Sequence, residues 1–409
     1  MNNNTTYRDS PLGKIPSDWE VKRIADFGKV FTGNTPSTDN HENYGCEYMF
    51  VSPSDLSSEK YIYKTEKRLS LKGFSISRKF PRGSVLFTCI GSTIGKSGIA
   101  TEDSTSNQQI NAIVVDEKYN NEFLYYELEF NSQKIKLLAG EQAVPIINKS
   151  QFEAVKLLCP PLPEQARIAE VLSTWDKAIT NLQATINQKE LRNKWLMQQL
   201  MTGKKRLKGF ENTMWKARSL GECIKYTPRE VIKPDSNFFA LGIRSHGKGI
   251  FHKNDFDPED IAMDVLYEVK ENDLVVNITF AWEHAIAIAS KGDDGGLVSH
   301  RFPTYTFRNQ HAIPEFFKFF ILQKRFKYEL DLISPGGAGR NRVMSKKDFP
   351  KIEVIIPDVK EQTAIANVLQ TASNEVQLLQ KQLDKLREQK KGLMQVLLTG
   401  KKRLYIKNI

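Results

Sequence analysis

Two stretches of the chain carry apolar side chains at alternating spacings of four and three. In the second, Ile365, Leu369, Ala372, Val376, Leu379, Leu383, Leu386, Lys390, Leu393 and Leu397 keep this rhythm. In the first, Ile168, Leu172, Trp175, Ile179, Leu182, Ile186, Lys189, Asn193, Leu196 and Leu200 keep it as well. A seam sustained over several heptads predicts a long helix that buries one stripe against another helix. Pro160, Pro161 and Pro163 before the first stretch and Pro357 before the second mark helix entry, because proline is tolerated at a helix start and excluded from its interior. Gly203 and Gly400 stand where a left-handed residue ends a helix, and the cations that follow suit its carboxyl end. About 37 residues at about 1.5 Å rise predict a rod of roughly 55 Å.

The two stretches are copies of each other. Pro160 to Leu207 recurs as Pro357 to Leu404 at a constant offset of 197 (357 − 160), and 21 of the 48 aligned positions are identical. Glu164-Gln165 returns as Glu361-Gln362, and both copies close on Thr-Gly-Lys-Lys-Arg-Leu. The segments before the helices repeat in outline: Trp19 corresponds to Trp215, Val85 to Thr88 to Leu274 to Asn277, and Phe123 to Tyr126 to Phe316 to Phe319. The predicted order is domain, helix, domain, helix, with boundaries at 1–160, 161–208, 209–357 and 358–409. Each domain is long enough to bury its own core. Alternation and turn signals predict mixed secondary structure in both, with strands near Val85–Ile90, Ala112–Val115, Asp273–Ile278 and Thr304–Phe307 and helices near Glu122–Phe130 and Pro314–Gln323. The expected fold is α+β: two mixed domains, two long helices forming an antiparallel coiled coil, and a pseudo-two-fold internal repeat.

Charge points to a polyanionic partner but localises unevenly. The chain has 59 Lys and Arg against 48 Asp and Glu, a net of +11. Lys189 to Lys208 contributes +6 and Lys381 to Ile409 +7, so the remainder is about −2 (11 − 13). DNA contact by the domains must therefore come from local basic loops, such as Lys64–Lys79, Arg244–Lys253 and Gly336–Lys347. Four scattered cysteines give neither a disulfide framework nor a zinc pair. With no signal-peptide core and no long apolar run, the sequence is read as cytoplasmic, with no membrane contact.

Catalytic patterns fail on spacing. Gly91 to Ser97 is one residue short of a phosphate-binding GxxxxGK[ST] loop. Cys159-Pro160-Pro161-Leu162 lacks the amide and aromatic of an NPPY-type methyltransferase motif, and Glu388 would face away from a seam-borne Lys390. No nucleophile, metal cluster or cofactor fingerprint remains.

The domain–helix–domain–helix order, Leu162-Pro163-Glu164-Gln165 with its counterpart Lys360-Glu361-Gln362, and the doubled Thr-Gly-Lys-Lys-Arg-Leu ending resemble the specificity subunit of type I restriction-modification enzymes. The resemblance extends to Thr32 to Pro36, Gly91 to Lys96 and Asn107 to Gln109, which are similar to elements of that family's target recognition domains. In the second domain Ala281 to His284 and Ser299 to Arg301 stand in the places of the last two. The resemblance implies a noncatalytic subunit that reads a bipartite site on double-stranded DNA and docks two modification subunits, with restriction subunits in the full complex. It implies no cofactor in this chain; S-adenosylmethionine, ATP and magnesium belong to the partners. DNA-contact candidates are Thr35, Ser54, Lys79, Ser92, Thr93, Lys96, Asn107, Gln108 and Gln109 in the first domain. In the second they are Arg244, His246, Lys248, Trp282, His284, His300, Arg301, Arg340, Asn341 and Arg342. Carboxamides can bond bidentately to an adenine edge, which singles out residues 107–109. Candidates for the coiled coil and partner contact are Glu164, Gln165, Ile168, Leu172, Ile179, Leu182, Ile186, Glu361, Gln362, Ile365, Leu369, Val376, Leu379 and Leu383. The alternative is a coiled-coil adaptor whose two domains bind protein.

Overall fold

The computed structural model describes residues 6–56, 59–140, 143–336 and 342–404. The chain is α+β, and it divides into two compact units, Met1–Thr185 with Gln380–Ile409 and Ile186–Leu379.

In the first unit a five-stranded sheet has the order Gly28–Thr32, Ile110–Val115, Val85–Thr88, Ser97–Ala100, Tyr61–Ile62, antiparallel except for the last pair. Its central strand is buried on both faces. Val85 and Phe87 point into the core built with helix α1 (Asn121–Lys136), and Leu86 points into a second core, as the two-residue period of a strand requires. That second core lies against another five-stranded sheet, ordered Tyr44–Gly45, Lys67–Leu69, Tyr48–Val51, Ser104–Ser106, Lys79–Phe80. Glu20–Arg23 pairs with Lys156–Cys159 immediately before helix α2 (Leu162–Leu200).

The second unit repeats this plan. Its sheet runs Ile224–Tyr226, Thr304–Phe307, Leu274–Val276, Ile286–Ile288, the order of the first unit's sheet with one edge strand fewer. Leu274 and Val276 face the core shared with helix α3 (Pro314–Phe320) and helix α4 (Lys324–Leu332), and Val275 faces the other. Lys216–Ser219 pairs with Glu353–Ile356 before helix α5 (Val359–Leu397).

Each unit is closed by the end of a long helix. In the first, Met394, Leu397 and Leu398 join the core, and Arg403 reaches back to Glu164 with Nε at 2.8 Å and Nη2 at 2.7 Å. The same guanidinium meets Asp18 at 2.8 and 2.7 Å and lies 5.7 Å over the ring of Trp19, whose Nε1 donates to Glu164 at 3.0 Å. These carboxylates hold the Arg403 pKa above its ordinary value, and Arg403 in turn holds that of Asp18 down. In the second unit Leu200 and Met201 enter the core, Arg206 meets Glu361 at 2.7 and 2.6 Å, and its guanidinium lies 5.8 Å over Trp215. The adjoining glutamines also act alike. Gln165 accepts from the Asn120 amide at 2.9 Å and Gln362 from the Ile313 amide at 3.1 Å, so each fixes the entry to its domain's helix. Glu164, Gln165, Glu361 and Gln362 are therefore buried, with partners inside their own units. As the sequence predicts, Gly203 and Gly400 adopt left-handed φ of 67° and 69°.

The heptad stripe is buried at Ile168, Leu172 and Leu383 in the first unit and at Ile186, Ile365 and Leu369 in the second, but Ile179, Leu182, Val376 and Leu379 are only half-buried. Ion pairs accompany the half-buried positions. Lys390 lies 2.7 Å from Asp176 and 3.2 Å from Glu129 in the first unit; in the second Glu375 meets Lys189 and Arg192 at 2.5 and 2.6 Å. Burial works against the Lys390 charge, and the two carboxylates more than offset it, so its pKa stands above the ordinary lysine value. Asn193 donates to the Ala372 carbonyl at 2.7 Å, which gives the polar break at that seam position a partner.

Arg403→Met leaves Glu164 buried without its cation, which costs roughly 3–5 kcal/mol. The expected result in urea unfolding is a loss of that size, largely recovered by Arg403→Met with Glu164→Gln. A single variant within about 0.5 kcal/mol of wild type, the range of ordinary surface changes, contradicts the closure.

Candidate nucleic-acid interface

Four loops of the first unit converge at the ends of its two sheets. Gly33 donates to the Ile110 carbonyl, and a Cβ there would fall 2.2 Å from the Asn107 carbonyl oxygen, so only glycine allows loop 33–36 to lie against loop 107–109. Thr35 Oγ1 then donates to Gln108 Oε1 at 2.7 Å. Asn107 Nδ2 donates to Gln109 Oε1 at 2.9 Å, and Gln109 Nε2 faces the Ile90 carbonyl at 3.5 Å. These bonds engage Asn107 and Gln109 within the loops and leave Gln108 as the exposed carboxamide. Loop 91–96 turns at Gly91 and Gly95, is plugged into the core by Ile94, and sets Lys96 Nζ 3.3 Å from the Pro53 carbonyl beside Ser54. A strand follows that loop, Ser97–Ala100, where a phosphate-binding loop would lead into a helix. Ser54, Ser92 and Lys96 are exposed and Thr93 half-buried. Arg78 ties Lys79 to this group by bonding Asn34 and Thr32 at 2.7 and 2.8 Å.

The second unit builds its loops differently. Arg244 closes a hairpin by donating to the Gly249 carbonyl, and His246 and Gly247 donate to the carbonyls of Glu283 and His284 at 2.7 and 2.9 Å. His246 and His284 both hold left-handed backbone, φ 64° and 68°, uncommon for a residue with a side chain. The His284 ring is buried against the Ile321 carbonyl, 2.5 Å from Nε2. It faces the interior, where it fixes the turn that carries Trp282. Arg342 lies 5.2 Å over the Trp282 ring and pairs with Asp331 at 2.8 Å. Lys324, Lys327 and Tyr328 of α4 border the same depression as His246, Trp282 and Arg342. Lys346 Nζ donates to the His300 carbonyl at 3.0 Å, and Lys248, His300 and Arg301 are exposed. Arg340 and Asn341 lie outside the described residues. Sequence reasoning missed Lys324 and Lys327; their spacing of three on a helix was the available signal. Among the described residues no group of His, Cys, Asp or Glu is placed to hold a metal ion, and no helix is long and apolar enough to cross a membrane.

The profile of the family described as type I restriction modification DNA specificity domain matches residues 16–190 and 260–388. The chain belongs to this family. A type I restriction enzyme MjaVIII specificity subunit from Methanocaldococcus jannaschii is 25% identical over 97% of this chain and 95% of that protein. The MjaIX specificity subunit of the same organism is 34% identical, over 43% of this chain and 42% of its own length. The solved S subunit of a type I restriction-modification system from M. genitalium shares the fold, with a TM-score of 0.59, 15% identity and 97% of both chains covered. The matched segments of this specificity-domain protein include loops 91–96, 107–109, 279–284 and 299–301, and leave out Arg244, His246 and Lys248.

Burial holds the His284 pKa below its ordinary value near 6.5. As pH falls through about 6.5 the unfolded chain takes up this proton before the folded one, so the contribution is kept above that pH and lost below it. His284→Asn, which tolerates left-handed backbone, should flatten this dependence. Thermal unfolding of both proteins at pH 7.5 and 5.5 checks it; equal slopes would contradict a buried neutral imidazole.

Proposed function

We propose that this chain is the sequence-reading subunit of a type I restriction-modification complex, noncatalytic by itself. Residues 1–160 and 209–357 act as two target recognition domains that each read one half of a bipartite DNA site. The helical regions 161–208 and 358–409 pair as an antiparallel coiled coil and dock two modification subunits. Methyl transfer with S-adenosylmethionine, and ATP- and magnesium-dependent cleavage with restriction subunits, belong to those partners.

The observation that carries this reading is that equivalent places on a repeated scaffold hold different chemistry. Between the third and fourth strands of the shared sheet order stands Gly91 to Lys96 in one unit and Thr279 to His284 in the other. Before the second strand of that order stands Asn107 to Gln109 in one and Ser299 to Arg301 in the other. A scaffold kept and a surface changed is what two readers of different base sequences need, because phosphate contacts position a protein while base-edge contacts specify. In the first unit Gln108, Ser92 and Thr93 are assigned to base edges and Lys79 and Lys96 to phosphates, with Thr35 and Ser54 framing them. In the second, His246, Lys248, Trp282, His300, Arg301 and Arg342 are assigned to DNA, joined by Lys324 and Lys327, while His284 positions the turn beneath them.

Binding of the assembled methyltransferase to single-base variants of its site, at several salt concentrations, tests the assignment. Gln108→Ala should relax preference at one position by about 1–3 kcal/mol, and Lys96→Ala should weaken all sites alike and flatten the salt slope by about one ion. Retention independent of salt favours an adaptor that binds protein.

A further inference from the structure

The repeat also duplicates a cleft that lies away from the reading loops. In the second unit it is a space of about 200 Å³ lined by Met201, Thr202, Trp215, Phe320, Gln323 and the strand Glu353 to Ile355. In the first unit a cleft of about 840 Å³ is lined by Leu398, Thr399, Glu127, Phe130 and Lys156 to Leu158. Leu398-Thr399 and Met201-Thr202 are repeat equivalents (398 − 201 = 197), as are Lys156 to Leu158 and Glu353 to Ile355 (353 − 156 = 197). Each cleft thus lies among the same three elements of its own unit: the helix after the sheet, the strand before a long helix, and the closing turn of the other long helix.

Among the described residues, both clefts carry buried polar atoms without hydrogen bonds. In the first unit Trp19 Nε1 is bonded to Glu164. In the second, Arg206 takes both oxygens of the equivalent Glu361, and the Trp215 indole N–H has no partner among the described residues. Gln323 Nε2, on the wall of the same cleft, has none either. In the first cleft Glu127 Oε2 accepts from Asn131 Nδ2 at 3.1 Å, while Oε1 has no hydrogen-bond partner among the described residues. Burial pushes the Glu127 pKa well above its ordinary value, which favours the protonated carboxyl as a donor. A buried donor left unbonded is costly, and a ligand acceptor removes that cost.

The charges at the rims select the acceptor. Lys14, Lys134, Lys156 and Lys401 surround the first cleft, whereas Arg325, Glu329 and Glu353 surround the second. A carboxylate suits the first and is disfavoured at the second. A neutral carbonyl with apolar neighbours suits both, against walls such as Phe130 and Leu398 in one and Phe320 and Met201 in the other. We propose that the two clefts are equivalent docking sites, each receiving a backbone carbonyl on an apolar segment of one modification subunit. The inference rests on the proposed reading that two copies of one partner bind this chain, since two equivalent sites then take two equivalent segments.

Native mass spectrometry and titration of the full-length chain with modification subunit test it. Gln323→Met and Trp215→Phe, which remove the donors at similar size, should each weaken one of the two subunits at least tenfold and leave a one-to-one complex. Glu127→Leu should weaken the other, and Glu127→Gln, which keeps a donor, should not. Hydrogen–deuterium exchange of the wild-type complex should show new protection over 320–326, 353–356 and 154–158, a readout that stands even where a variant fails to fold. Two subunits bound with unchanged affinity by folded variants, or absence of that protection in a two-to-one complex, overturns the clefts alone. A wild-type chain that binds no modification subunit overturns the functional reading and the clefts together.

Discussion

A buried guanidinium–carboxylate pair governs how this chain closes on itself. Arg403 with Glu164, and Arg206 with Glu361, join the end of one long helix to the start of the other inside each unit. Such a pair adds little over an apolar contact of similar volume, but a lone buried charge is severely penalised, so what it supplies is register. A one-residue slip of either helix end would strand a carboxylate beside Trp19 or Trp215 and withdraw Leu397 or Leu200 from its core. The repeated six-residue ending is thereby accounted for physically. Its glycine turns the chain through a left-handed residue, and its arginine anchors the turn.

The long helices were legible because their signals are local and redundant. Proline at entry, glycine at exit and a sustained seam agree with one another, and the helices begin at Leu162 and Val359. Central strands such as Val85–Thr88 were legible as apolar runs covered on both faces. The second sheet of the first unit was not, since strands of two or three residues such as Lys79–Phe80 and Ser104–Ser106 carry too little pattern. Nor could spacing reveal that Glu164 and Gln165 look inward: their partners lie 239 and 45 residues away along the chain. The half-buried middle of the seam likewise depends on Glu129 and Asp176, which no heptad rule anticipates.

The candidate site was legible as loops and only partly as side chains. Thr35 and Gln108 come together at 2.7 Å although 73 residues separate them, and Asn107 and Gln109 bond each other and the backbone. His284 has the residue type of a reader and the burial of a support, a distinction that needs the Ile321 carbonyl to be seen. The second unit gathers its exposed cations from a hairpin, a turn and α4, so their proximity is a product of the fold.

Two similar scaffolds carrying unlike loops should separate the recognition of DNA into two independent parts. The most direct measurement is methylome sequencing of cells that express this chain with its cognate modification subunit, beside a chimera whose residues 1–160 come from a relative. The account predicts two short specific motifs flanking a fixed run of unread bases, with the chimera altering one motif and keeping the other. A single continuous motif, or a chimera that changes both halves together, would contradict it.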